Sequence, residues 1–291
     1  MATTKKTETE EVKSLSRIIA GINRKAGRKV IGKMSAMEDE LAIEKIRTGI
    51  DVLDDAMGGG FPTRRIVEVF GVPSSGKSLI SMFLVAQAQK EGRKCVYIDV
   101  EDSYDPAFAE KFGVDNKELI VANLNVGEEI IDLICALLEG QPDVIIVDSV
   151  AAMVPTVEME EEESAKQHMT QKARLLSRSI PKLTALNKKT SIVFINQIRS
   201  TLAMYGDPNT TPGGNAIGFF SSIRLKIHST NSDKLYAGSK KEAPIGQVVN
   251  FVVVKNKTAS PGQRGSFKFF YDNCEVVEPG KQRKRKTTKD D

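Results

Sequence analysis

Cysteine and histidine are both scarce in this chain. The three cysteines, Cys95, Cys135 and Cys274, lie far apart and form no CxxC pair. That spacing argues against a disulfide framework or a zinc site and suits a reducing, cytoplasmic compartment. The two histidines, His168 and His228, are too few for a histidine-rich metal site. Long apolar runs are missing as well: none reaches the roughly 20 residues of a membrane span. The N-terminus, MATTKKTETEEVK, lacks the apolar centre of a signal peptide. Neither a membrane role nor a secreted, disulfide-built one is expected.

What is present is ordinary core material. With 291 residues and 40% hydrophobic content, the chain suits one large α/β domain with appendages, or two small domains. The net charge of +4 is mild but unevenly spread. The final stretch, KQRKRKTTKDD, gathers Lys281, Arg283, Lys284, Arg285, Lys286 and Lys289 without a hydrophobic residue. Two readings fit such a disordered tail: a solvated terminus that aids solubility, or a segment that touches nucleic acid.

Four segments organise the chain. Residues 1–10 are polar and expected to be disordered. Residues 11–45 hold a helix from Glu11 to Ala26, where Val12, Leu15, Ile18, Ile19 and Ile22 recur with helical period. A short apolar piece, Lys29 to Met34, follows and reads as an edge strand. Neither has an evident core of its own. Residues 46–275 alternate strand and helix. Strands are predicted at Arg65–Phe70, Lys94–Val100, Asp143–Val147 and Ser191–Asn196. Helices are predicted at Lys77–Glu91, Ala107–Phe112, Gly127–Glu139 and Thr170–Asn187. This alternation predicts a mainly parallel sheet covered on both faces. Ser222–His228, Gln247–Lys255 and Ser266–Tyr271 then follow as strands without helices between them, so antiparallel hairpins should close the sheet. Residues 276–291 form the basic tail. No fixed-period repeat is visible.

The sharpest local signal is GVPSSGKS, comprising Gly71, Val72, Pro73, Ser74, Ser75, Gly76, Lys77 and Ser78. It fits G-x-x-x-x-G-K-[ST] between a predicted strand and a predicted helix, as the phosphate-binding loop requires. The glycines let backbone N–H groups turn inward, and the helix N-terminus adds its positive end. Lys77 would bridge the β- and γ-phosphates, and the Ser78 hydroxyl would ligate Mg²⁺. A second magnesium acid should end a neighbouring strand, and VIIVDSV supplies Asp148. Hydrolysis also needs a group to orient or deprotonate water. VYIDVEDSYDP offers Asp99, Glu101, Asp102 and Asp105, and Glu101, at the strand tip, is the first choice. Two connections stand apart: Arg199–Asn215, rich in glycine and proline, and the acidic stretch Glu158–His168. The first is too long for an idle loop in a compact domain. The second reads equally as a mobile segment or a solvated helix start.

RIVEVFGVPSSGKS, VEDSYDP, VIIVDSVAAMVP, IVFINQIRS, TTPGGNAIGFF and VVVKNKTASP occur in this order. From Glu11 to Tyr271 the chain resembles bacterial RecA recombinases, whose fold is a P-loop NTPase core with an N-terminal polymerisation element. The resemblance implies an ATP- and Mg²⁺-dependent, DNA-stimulated ATPase. Such a protein assembles as a helical filament on single-stranded DNA, pairs it with homologous duplex and exchanges strands. Glu101 would activate water, and Gln197 would sense the γ-phosphate. Lys255 and Lys257 would reach a neighbouring subunit's γ-phosphate in trans. Asp105 and Phe108 fall at the adenine, with Phe108 in place of a tyrosine. The loop Ile198–Gly214 and the segment Glu158–Met169 would be the DNA loops. Met169 and Leu202 match wedges between stacked bases, though both read equally as loop anchors. Arg174, Ser177, Arg199, Gly213, Gly214 and Asn215 match backbone contacts, which favour sequence-neutral, salt-sensitive binding. Arg174 also reads as a surface helix charge. The N-terminal helix and strand would dock on the adjacent protomer.

Three departures qualify the resemblance. Pro181 stands where the family carries a basic DNA contact and is expected to interrupt its helix, with Arg178 as the compensating group. Gly218 stands where an interface basic residue is usual, although Phe219 beside it fits. Beyond Tyr271 there is no room for the family's globular C-terminal domain, and the basic tail is expected to take over part of its duplex-gathering role. The trimmed core leaves bacterial and phage origins both open. The alternative function is a regulatory filament of the SOS type, activating a self-cleaving repressor, with weak strand exchange and help from loader proteins. A hexameric helicase or clock-type ATPase shares the core but does not usually combine the GGNA loop with VVKNK.

Overall fold

The computed structural model describes residues 15–156, 165–200, 209–230, 233–238 and 242–281; within these, side chains 39–40, 165–169, 199–200 and 209–210 are not described. The chain divides into two compact units, Met1–Glu44 and Lys45–Asp291.

In the first unit residues 15–26 are helical, and positions 11–14 of the expected helix lie outside the described residues. Leu15, Ile18 and Ile22, the apolar stripe, are exposed. The edge strand expected at Lys29–Met34 is not formed. Residues 29–33 are irregular, and a helix, Met34–Leu41, starts where the strand should end. A strand needs a ladder partner, and no strand is present among the described residues of this unit. The Asn23 side chain takes that place. Its Oδ1 accepts from the Val30 and Ile31 N–H groups at 2.8 and 3.1 Å, and its Nδ2 donates to the Ile31 carbonyl at 2.8 Å.

The second unit opens with a two-stranded ribbon of β1 (Lys45–Ile46) and β2 (Phe61–Pro62), flanking the helix Asp51–Ala56. The main sheet then takes β3 (Arg65–Gly71), β4 (Cys95–Asp99), β5 (Ile120–Asn123), β6 (Val144–Asp148) and β7 (Ser191–Gln197). A small separate hairpin joins β8 (Arg199–Ser200) to β9 (Asn209–Thr210). Strands β10 (Ile223–His228), β11 (Lys234–Leu235), β12 (Gly246–Asn256), β13 (Arg264–Phe270) and β14 (Glu275–Val277) complete the main sheet. Its order is β14-β13-β12-β10-β3-β7-β6-β4-β5, with β11 on β12. From β10 to β5 every pairing is parallel, and from β10 to β14 every pairing is antiparallel. The mixed α/β architecture with a hairpin end is the one the alternation predicted.

Strand period divides the core in two. Val67, Val69, Tyr97, Val144, Ile146, Val193 and Ile195 join one apolar cluster, which includes the helix Lys77–Lys90. Their neighbours Ile66, Val96, Ile98, Ile145, Val147, Ile192 and Phe194 join the other, with residues of helices Gly127–Gly140 and Ala165–Leu186. Both faces are covered, which is why VIIV and IVFI run apolar without alternation. Among the described residues no helix is long and apolar enough to cross a membrane.

The sheet's register also sets up the site. Gly71 lies opposite Gln197 across β3–β7, and Asp99 opposite Asp148 across β4–β6. Polar side chains are thereby collected at the carboxyl ends of parallel strands, where open α/β sheets take their ligands.

Candidate functional site

The loop from Gly71 to Ser78 connects β3 to the helix Lys77–Lys90. Two glycines are sterically required. A Cβ on Gly71 would stand 2.1 Å from the Ile227 carbonyl oxygen, and Gly76 adopts φ 103° as the helix N-cap. The helix start carries no side-chain cap, so its N–H groups face the loop's concavity. Ser75 is buried, and its Oγ has no hydrogen-bond partner. An orphaned hydroxyl in such a cradle fits a polar ligand rather than a closed turn.

Lys77 Nζ donates to the Val72 carbonyl at 2.8 Å. Burial pulls this ammonium below the ordinary lysine value, and the Asp148 and Glu101 carboxylates oppose that shift. Ser78 Oγ donates to Asp148 Oδ2 at 2.7 Å, and the Tyr97 hydroxyl donates to the same oxygen at 2.7 Å. Burial pushes the Asp148 carboxyl above its usual range; the Ser78 and Tyr97 hydrogen bonds resist, as does the nearby Lys77 charge, while Glu101 adds to the rise. A hydroxyl and a carboxylate side by side under a phosphate cradle form the pair a divalent cation takes from the protein. The residues present therefore fit such an ion.

Glu101 stands just beyond β4. Its Oε1 accepts from Ser149 Oγ and, at 3.1 Å, from Gln197 Nε2. The structure thus joins the two residues expected to act on the γ-phosphate and its water. Asp99 does different work: its Oδ2 accepts from the Ser103 and Tyr104 N–H groups and staples the turn after the strand. Asp102 accepts from Asn123 Nδ2 at 2.5 Å.

A cavity of about 400 Å³ opens beside Ser74, Gly76, Lys77 and Ser78, and Phe108 lines it as well. Phe108 is 42% exposed and packs edge-on against Phe112. Asp105 is not among the lining residues. Its Oδ1 caps the helix Pro106–Lys111 by accepting from Ala107 N and Phe108 N, and so aims Phe108.

Lys255 and Lys257 do not line their own cavity. Lys255 Nζ donates to the Gly218 and Phe219 carbonyls at 2.8 and 2.7 Å, at the end of the helix Ala216–Phe220. Burial lowers its pKa, helped by the Lys257 and Arg224 charges. Lys257 is exposed.

On the other side of the sheet ends, Gly213 and Gly214, both at positive φ, lie flat on the helix Ala165–Leu186. A Cβ on Gly213 would meet Leu176 Cδ1 at 2.3 Å, and one on Gly214 would meet Ala173 Cβ at 3.0 Å. The glycines therefore sit against the helix turns that carry Arg174 and Ser177, both exposed. Asn215, also exposed, leads into the next helix. Arg174 and Arg178 line one groove with Gln171. Leu202, the side chains of Met169 and Arg199, most of the segment Glu158–His168 and the tail beyond residue 281 lie outside the described residues. Pro181 does not interrupt its helix, contrary to expectation. An interior proline costs about 3 kcal/mol. Leu176, Ile180 and Leu183 are wholly buried around it, and each contributes about 1.5–3 kcal/mol, which holds the helix through the defect.

Four residues missed by motif reading connect these parts. Asn196 Nδ2 donates to Glu68 Oε1 at 3.2 Å and to the Pro212 carbonyl at 3.1 Å, while its Oδ1 accepts from Gln197 N at 3.0 Å. Tyr97 holds Asp148, and Ser149 holds Glu101. Each of the three adjoins a motif residue or lies one strand period from one, which is the signal that points to them. Glu68 pairs with Arg224, and nothing local marks it. The family model for the RecA N-terminal domain matches residues 13–275 of the chain.

Proposed function

The chain belongs to the RecA family, and on that premise we propose that it is an ATP-dependent recombinase that forms a filament on single-stranded DNA. It pairs that strand with homologous duplex, promotes exchange and hydrolyses ATP at subunit interfaces. The observation that carries this reading is Asn196 beside Gln197. Gln197 touches Glu101, while Asn196 holds Pro212, at the end of the proposed DNA loop. A γ-phosphate that draws the Gln197 amide toward itself would release Glu101 and pull on the same backbone that carries Gly213 and Gly214.

In this mechanism the Gly71–Ser78 backbone and Lys77 hold the phosphates. Ser78 and Asp148 would hold Mg²⁺, which neutralises charge on the phosphate oxygens when bound. Glu101 accepts a proton from water as its oxygen bonds to the γ-phosphorus and the bond to ADP breaks, giving ADP and phosphate. Phe108 supports the adenine. Lys255 and Lys257 reach the neighbouring subunit's γ-phosphate and stabilise charge there in trans. To do so Lys255 must leave the Gly218 and Phe219 carbonyls. The exposed Leu15, Ile18 and Ile22 stripe supports docking on an adjacent protomer. Arg174, Ser177, Gly213, Gly214 and Asn215 would contact the DNA backbone.

The test is ATP hydrolysis with and without single-stranded DNA. Stimulated turnover should fall about 10²–10⁴-fold in Glu101→Gln and at least about 10³-fold in Lys255→Ala, with ATP binding retained. DNA binding without stimulated turnover would move the assignment to the regulatory filament. Absence of DNA binding would remove both.

A further inference from the structure

The wall of the nucleotide cavity facing the phosphate loop comes from the hairpin end of the sheet, which no motif covers. Gln247 is buried, and its Nε2 stands 3.6 Å from where a Cβ on Gly76 would be. This wall therefore abuts the cradle itself. Lys234 lies directly opposite Gln247 in the β11–β12 register. Its Nζ donates to Gln247 Oε1 at 3.1 Å and to the Tyr271 hydroxyl at 3.2 Å, and stands 5.9 Å from the Tyr271 ring centroid. Lys234, Gln247 and Tyr271 all line the same cavity as Lys77, Ser78 and Phe108.

We propose that Lys234 is a second cation of the nucleotide site supplied by the same subunit, and that it grips the phosphate portion common to ADP and ATP. The proposal rests on the ATP-binding reading above. An ammonium has three donors, and here two are spent on neutral acceptors, with no ion pair to Lys234 among the described residues. The third donor is left for a ligand. Gln247 and Tyr271 hold the side chain over the cavity, which lowers the entropy lost when it engages. Its partner Gln247 abuts the loop at Gly76, and on that contact we assign Lys234 to the phosphates that ADP and ATP share rather than to the γ-phosphate. It should therefore set affinity, whereas Lys255 sets turnover. The competing role is a staple of β11 onto β12, which would support the hairpin and leave nucleotide affinity alone.

The experiment is calorimetric titration of the full chain with ADP, ATP and adenosine, comparing wild type, Lys234→Gln, Lys234→Arg and Lys77→Ala. Lys234→Gln should weaken ADP and ATP alike by about tenfold, the scale of one charge-assisted hydrogen bond. Adenosine affinity should stay unchanged, and Lys234→Arg should restore most of the loss. The deficit should also shrink as salt is raised. Wild-type ADP affinity in Lys234→Gln would overturn the proposal and leave the staple. An equal loss for adenosine would overturn it too, since the wall and not the charge would then be at work. If Lys234→Gln fails to fold, Lys234→Met takes its place: weaker ADP and ATP binding with adenosine affinity unchanged sustains the charge, and wild-type ADP affinity refutes it. Should wild type bind no ATP while Lys77→Ala behaves identically, the ATP-binding reading itself fails.

Discussion

Arg224 Nε donates to the fully buried Glu68 carboxylate at 2.6 Å, and the same guanidinium occupies the space beside Gly218. A Cβ at 218 would stand 3.1 Å from Arg224 Cζ. Arg224 also lies 4.6 Å from the Phe70 ring centroid, sandwiched between the helix Ala216–Phe220 and the sheet. The glycine thus goes with a basic group delivered from β10. Through Glu68 and Asn196 this pair connects to Gln197 and to Pro212.

Removing Arg224 should be costly. Arg224→Ala leaves Glu68 buried with Asn196 as its remaining hydrogen-bond partner among the described residues, and breaking a buried pair from one side costs about 3–5 kcal/mol. Glu68→Gln combined with Arg224→Met should recover much of that loss. Urea denaturation measures both, and a single-variant loss below about 1 kcal/mol would show the pair to be solvated.

Phe108 is expected to matter for nucleotide and little for folding. It is a large apolar side chain left exposed at the mixed polar and apolar wall of the cavity. Phe108→Ala should weaken ATP binding about three- to tenfold, the scale of one aromatic stacking contact, and Phe108→Tyr should keep wild-type affinity. Equal affinity in all three proteins would place the adenine elsewhere.

Arg174 and Arg178 share one groove on a single helix face, four residues apart. Arg178→Ala should weaken single-stranded DNA binding on every sequence tested and lower the salt slope by nearly one, as Arg174→Ala should. An unchanged slope for Arg178→Ala would deny it the compensating role opposite Pro181.

Asp54 should leave a signature in the pH dependence of stability. Burial raises its carboxyl to about 6, although the Thr48 backbone and hydroxyl, the Arg47 charge and the Gly49 N–H hold it down. Between its unfolded value near 4 and about 6, the native state keeps a proton that the unfolded chain has released. This group's contribution therefore grows as pH falls through that window and is lost as pH rises through about 6. Melting temperatures of wild type and Asp54→Asn should diverge from pH 6.5 to pH 4.5 and run parallel above pH 7. Curves parallel throughout would contradict the assignment.

Much of this site was legible because its signals are local. GVPSSGKS brings strand, turn and helix within eight residues, and VIIVD ends a buried strand on its acid. Such segments carry their own geometry, so the parallel sheet and the pairing of Ser78 with Asp148 followed from reading along the chain. The edge strand at Lys29–Met34 and the break at Pro181 were misread for the opposite reason. In each case local propensity lost to something beyond the segment: Asn23 occupying the backbone of Val30 and Ile31, and the buried side chains that carry a helix past its proline.

By itself, then, the sequence determined the fold class and the phosphate-loop motif, since each depends on short-range periodicity and turn chemistry, whereas the roles proposed for Gln197, Lys255 and Lys257 came from the family resemblance. Only the tertiary structure decided that Arg224 answers Gly218, that Asn196 joins Gln197 to Pro212, and that Lys234 and Lys77 line one cavity. Those relationships hold between residues far apart in the chain. They arise from strand register and from side chains that fill space left by others, and neither is encoded in any one segment.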